Sequence, residues 1–157
     1  MRILIAGLAA AAFATAAAAA EPQPTKTFTA AADFAALIAK DEALQKAGQP
    51  TPSQPLVRLA PYTAAMEYRT AVGPAAVHED EAEFFYVLEG SGVLTTGGKL
   101  VGETRMNPTN LSGTGVEGGE TRKVAKGDVF IVPEKVPHWF STIDGRLVMI
   151  SMHVPRK

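Results

Sequence analysis

The sequence predicts an all-β fold, an antiparallel sandwich or barrel preceded by a single helix. Three observations predict it. From Pro55 onward, short runs rich in β-branched and aromatic residues follow one another at close spacing, and turn residues separate them. No helical periodicity interrupts those runs, which argues against a parallel sheet with crossover helices. The only 3.6-residue stripe lies upstream of them, and no internal repeat is visible.

The first twenty residues, "MRILIAGLAAAAFATAAAAA", carry one positive charge at Arg2, then an apolar run, then small residues before Glu21. That order is the pattern of a secretory signal peptide; as a membrane anchor its alanine-rich run is marginal in length and only weakly hydrophobic. An exported, periplasmic or secreted protein is expected, without stable membrane association after cleavage. The remaining chain divides into 21–54, a leader and N-terminal helical segment, and 55–157, the β domain. "EPQPTK" (21–26) reads as flexible leader. Thr29 is the expected N-cap of a helix over about 30–47, with Phe34, Leu37, Ile38 and Leu44 as its apolar stripe, an interruption near Asp41, and Gly48 closing it.

In the β domain, "YTAAMEYR" alternates in part, and "EFFYVLEGSGVLTT" reads as two strands around Gly90-Ser91-Gly92. "GDVFIVP" is a short apolar strand stopped by Pro133, and "HWFSTIDGRLVMISMHV" reads as a hairpin about Asp144-Gly145. The Gly-rich stretch 97–123 is either a surface excursion or a hairpin folding over a barrel mouth.

Composition excludes some functions. There are 15 basic and 16 acidic side chains with no Lys/Arg stripe, which argues against nucleic acid as a partner. Cysteine is absent, so no disulfide supports the fold and any metal must be held by nitrogen and oxygen. No phosphate-cradling loop is present: "GTGVEGG" has no following helix or Lys-Ser/Thr.

"HEDEAEFFYVLEG" (78–90) carries the chemistry. His78 and Glu83 are five apart and would point to opposite faces of an unbroken strand, so they converge only if "EDEA" turns. From Glu83 on, Glu83, Phe85 and Val87 share one face and Phe84, Tyr86 and Leu88 the other. Both faces are apolar, so both need a cover: the barrel interior on one side, the N-terminal helix or a second subunit of a homodimer on the other. A carboxylate inside a barrel demands a partner, and His138, at the start of a later strand, supplies one. Two imidazoles and a carboxylate suit a first-row divalent metal. His153 reads as a rim or surface residue. Glu79, Asp80 and Glu81 read as solvated turn residues, with Glu81 the substitute ligand should Glu83 be misplaced.

These residues fall on a family pattern. The chain resembles the cupins, whose first motif reads G-x5-H-x-H-x(3,4)-E-x6-G: His78 matches its second histidine, followed at the right spacing by Glu83 and Gly90. Gly127, Pro133 and His138 match the second motif, G-x5-P-x-G-x2-H-x3-N. Over roughly 55–155 the resemblance implies a jelly-roll barrel with one metal (iron, manganese, zinc, nickel or copper) on His78, Glu83 and His138. It also implies a small-molecule ligand, as substrate of a dioxygenase, isomerase or lyase or as cargo of a non-enzymatic periplasmic binder. Ala76 stands where the family has its first histidine, Lys135 where it has glycine, and Thr142 where it has asparagine. Alternation nominates Tyr68, Phe85, Phe140 and Met149 as pocket wall; separately, Arg69 or Tyr62 is a candidate to orient an anionic or polar substrate.

Overall fold

A computed structural model describes residues 24–49 and 51–156; the segment read as a signal peptide lies outside the described residues. Among the described residues the single helix, α1, spans Ala31–Lys46 and is rich in strong helix formers. Phe34, Leu37 and Ile38, spaced one turn apart, pack on Leu56, Met66, Tyr68 and Val148 of the sheet. Full burial of such a side chain is worth roughly 1.5–3 kcal/mol; these three are partly buried and contribute less. Three details differ from the sequence expectation. Ala30 is the N-cap and makes no side-chain cap bond, because the Thr29 hydroxyl instead donates to Leu56 O (2.6 Å). The helix runs unbroken through Asp41, which points inward, fully buried, and accepts from Gln54 Nε2 at 2.7 Å. At the described end of the leader, Lys26 exchanges two backbone bonds with Arg58. Gly48 closes the helix as expected, with a positive φ of 70°. Among the described residues no helix is long and apolar enough to cross a membrane.

Eleven strands follow: β1 (Gln54–Leu59), β2 (Tyr62–Arg69), β3 (Ala75–His78), β4 (Glu81–Thr96), β5 (Lys99–Val101), β6 (Thr104–Asn107), β7 (Asn110–Gly113), β8 (Gly115–Glu117), β9 (Glu120–Ala125), β10 (Val129–Val132) and β11 (His138–Pro155). Strands β4 and β11 run antiparallel along nearly their whole length and form the spine. Neither is the pair of strands expected from its turn residues; each is one long, bent strand. The bend falls where Gly92 faces Ile143 and Gly90 faces Leu147, so that Asp144–Arg146 oppose Ser91 alone. Such a bulge sharpens twist and redirects a strand. Gly90 has φ +79°, and a Cβ there would overlap the Arg146 carbonyl oxygen. Beyond the bend each strand changes partners. The start of β4 pairs with β10 and its end with β9; the end of β11 pairs with β2 and its start meets β3. Two half-sheets thus wrap one interior, a jelly-roll barrel.

That interior is filled by Phe85, Val87, Leu94, Val124, Val132, Phe140, Leu147 and Met149. On the outer face of β4, Leu88 lies under α1. Tyr86 does not, and with Val129, Ile131, Met152 and Val154 it stays exposed. Residues 97–123 are an ordered double hairpin. Strands β5 and β8 pair with each other, and inside them β6 and β7 extend the main sheet from β3. Glu79 and Arg105 join this excursion to the β3–β4 turn through two N–H···O contacts of 2.7 and 3.1 Å.

Candidate metal centre

Four chain segments deliver ionisable side chains to one end of the barrel. His78 ends β3, the chain bends at Glu79–Asp80, and Glu83 enters from β4. This is the turn that their odd spacing requires. His138 opens β11 on the same inward face as Phe140. The turn before it is held by the Lys135 backbone N–H, which donates to His78 O at 2.7 Å. Lys135 has φ 65°, the left-handed conformation that explains a family glycine at this position.

The fourth side chain, His153, corrects the sequence reading. Leu147, Met149, Ser151 and His153 alternate inward along β11, and His153 is the direct cross-strand partner of Glu83. It is a half-buried member of the cluster, not a rim residue. That alternation was readable in the sequence, but the chain-end position masked it.

The geometry centres on Glu83, only 5% exposed. Its Oε2 stands 3.2 Å from both His78 Nε2 and His138 Nε2, and its Oε1 stands 3.4 Å from His153 Nε2. The ligand atoms of His78, Glu83 and His153 all lie within 4.8 Å of one another, while His138 joins them through the shared carboxylate. The outer ring nitrogens are mostly committed. His78 Nδ1 donates to Asn110 Oδ1 (2.8 Å), a residue of the 97–123 excursion, and His138 Nδ1 donates to the Val136 carbonyl (3.3 Å). Glu81 Oε1 is 2.7 Å from His153 Nδ1, close enough for charge attraction. The angle is unsuited to a hydrogen bond, however, and that nitrogen has no such partner among the described residues. Glu81 therefore sits beside the cluster rather than in a solvated turn.

These contacts set a test for a cation. A neutral imidazole that donates from Nδ1 presents a lone pair at Nε2, and here two such lone pairs would face one carboxylate oxygen. The conflict resolves if the rings are protonated or if a cation lies between them. The proton affinities carry the same demand. Burial opposes charge on His78, yet its bonds to Glu83 and Asn110 and the charge of Glu83 raise its pKa above the ordinary imidazole value. Burial also pushes the Glu83 carboxyl up, but hydrogen bonds from His138 and His78 and attraction to the rings hold it well below the usual carboxylate range. An ionised carboxylate, three inward imidazole nitrogens and ring orientations set by Asn110 and Val136 form a donor set and outer support that could hold a divalent metal.

A cavity of about 680 Å³ adjoins the cluster, lined by His78, Glu83, His138 and His153 together with Ala76, Glu67, Arg69 and the 70–74 loop. Ala76 leaves the place of the family's first histidine without a donor. The Trp139 indole N–H ties the loop down by donating to Gly73 O (2.9 Å). The four expected wall residues fare differently. Phe85, Phe140 and Met149 face inward but belong to the close-packed core beneath the cavity. Tyr68 touches the lining, yet its side chain packs on the helix side with Leu56 and Met66. Its neighbours Glu67 and Arg69 face the cavity, because β2 turns alternate residues inward. Tyr62 is exposed and is not among the lining residues.

Solved structures resemble this chain at low sequence identity. The iron(II) form of HppE matches with a TM-score of 0.50 and 20% identity over 65% of this chain and 50% of that one. Hydroxypropylphosphonic acid epoxidase from S. wedmorenis gives 0.47 and 21%, over 65% and 49%. A Ralstonia eutropha protein carrying a provisional mannose-6-phosphate isomerase assignment gives 0.48 and 15%, over 67% and 84%. The chain thus spans about half the length of the epoxidase structures it matches. No curated protein matches it in sequence. The family model described as Cupin matches residues 51–154, the stretch that holds every residue of the cluster, and the chain belongs to the cupin family.

Proposed function

We propose that this chain is an exported cupin that holds one divalent transition metal on His78, Glu83 and His138, with His153 supplying the donor that Ala76 lacks. The observation that carries this reading is the pair of Nε2 atoms, each 3.2 Å from one buried carboxylate oxygen, with both Nδ1 atoms already bonded to acceptors. Imidazole and carboxylate donors without sulfur suit iron, manganese, zinc, nickel or copper. Bound there, such an ion would act as a Lewis acid toward an oxygen of a small-molecule substrate.

The chain's own residues prepare the site for that role. Glu83 supplies a buried negative charge beside the rings, Asn110 and Val136 fix two rings, and Phe85 and Phe140 exclude water from below. A dioxygenase, isomerase or lyase reaction fits this architecture. Ala76 favours a second reading, a periplasmic small-molecule binder with no tight metal.

Elemental analysis of untagged protein separates the two. Near-stoichiometric metal that disappears in His138→Ala, with the circular-dichroism spectrum unchanged, supports the metal site. Metal-free protein whose melting temperature rises with small molecules supports the binder. The export reading rests on residues 1–20, and N-terminal sequencing of the expressed protein should then begin at Glu21. The exposed apolar face formed by Tyr86, Val129, Ile131, Met152 and Val154 supports a homodimer, since such patches mark contact surfaces. Sedimentation should then show a dimer that Ile131→Lys dissociates.

A further inference from the structure

The cavity beside the imidazole cluster holds a second charged feature that metal binding leaves unused. Glu67 and Arg69 lie two residues apart on β2, on one face, and both line the cavity. Arg69 is held rigidly. Its Nε and Nη2 both reach Glu67 Oε2, at 2.7 and 2.5 Å, and its guanidinium carbon lies 4.9 Å above the Phe140 ring. That ring is 1% exposed, so it cannot swing away. Among the described residues Nη1 makes no hydrogen bond, and the nearby loop residue, Gly73, carries no side chain to cover it. The side chain keeps 30% of its surface accessible. A partly exposed ion pair adds only about 0–1 kcal/mol to stability, which gives fold stability little reason to aim a guanidinium into this space. A planar fork fixed at one edge, stacked on an aromatic face and free at the other edge is suited to a carboxylate or phosphate.

Charge and length narrow the ligand. Among the lining residues Glu67, Arg69 and Glu83 sum to one negative charge; a divalent cation on the imidazoles turns that into one positive charge, a field that draws in anions. His138 and Phe140 are two residues apart on one strand face, about 7 Å, and Arg69 lies over Phe140. We propose that Arg69 anchors the anionic group of a small organic acid or phosphate whose other end reaches the His78–Glu83–His138 cluster. This rests on the metal reading above.

The test is calorimetric titration of the metal-loaded protein, its metal content measured in parallel, with glutarate, 3-phosphonopropionate and valerate. Glutarate or 3-phosphonopropionate should bind at least tenfold more tightly than valerate. Arg69→Gln should weaken that binding at least tenfold with metal content unchanged. Arg69→Lys, which keeps the charge and loses the fork, should fall between. Glu67→Gln, which frees N–H groups and removes a competing carboxylate, should tighten binding several-fold. Arg69→Lys and Glu67→Gln carry the test if Arg69→Gln does not fold. Equal binding by wild type and the Arg69 variants, or no binding of either dianion to metal-loaded wild type, overturns the anchor alone. A chain that takes up no metal overturns both the anchor and the metal centre.

Discussion

His153 and Glu83 are directly opposed in the β11–β4 ladder, and their side chains meet inside the barrel with Nε2 3.4 Å from Oε1. A residue three positions from the described end of the chain therefore shares the buried carboxylate with His78 and His138. Ala76, which lines the same cavity, has nothing to contribute to it. On the proposed metal reading, His153 takes the place of the missing imidazole.

This replacement has a direct check. His153→Ala should weaken metal affinity by about tenfold or more, the scale on which supporting residues of metal sites act. Ala76→His added to that variant should restore most of the loss. Chelator competition measures both; an affinity indifferent to His153 removes it from the site.

Asn110 fixes the His78 ring through its Oδ1, so it controls which nitrogen faces Glu83. Asn110→Leu is expected to lower metal affinity about 10–100-fold with little change in secondary structure. Asn110→Asp, which keeps an acceptor, should retain affinity. Loss of the circular-dichroism signal in the leucine variant would point instead to a purely structural bond between β7 and β3.

Stability should depend on pH in opposite senses with and without metal. The His78 pKa is raised in the fold, so in metal-free protein its contribution is full below the unfolded imidazole value, about 6.5, and is lost as pH rises through the folded value. Metal binding requires deprotonated rings, so the loaded protein should lose stability as pH falls through that window. Melting temperatures from pH 5 to 8, with and without chelator, test the crossing; parallel curves would mean that the rings do not exchange protons for metal.

Lys135 occupies the left-handed region, which costs a non-glycine residue about 1–2 kcal/mol. Glycine removes that strain but has greater freedom in the unfolded chain, worth about 0.5–1 kcal/mol. Lys135→Gly should therefore stabilise the fold by about 0.5–1 kcal/mol in urea denaturation, because the backbone bond to His78 O survives. A clear loss of stability would show that the lysine side chain itself holds the turn.

Most of the architecture was legible from residue type and spacing. The helix stripe of Phe34, Leu37 and Ile38, the alternation of Glu83, Phe85 and Val87, and the two spaced motifs depend on local periodicity, which a linear sequence carries intact. The turn residues misled. Gly90-Ser91-Gly92 and Asp144-Gly145 signal chain reversal when taken singly, yet both fall in one bulge between two long strands, where Gly90 and Gly92 leave room for the Arg146 and Thr142 carbonyls. Only pairing the strands reveals that.

The site divides the same way. His78, Glu83 and His138 could be named because their spacing survives in one dimension, and so could the need for a turn between the first two. Asn110, the inward turn of His153, and the setting of Arg69 against Phe140 and Glu67 came from tertiary structure alone. Each depends on which strand lies beside which, and pairing between residues far apart in sequence is set by closure of the whole barrel rather than by any local pattern.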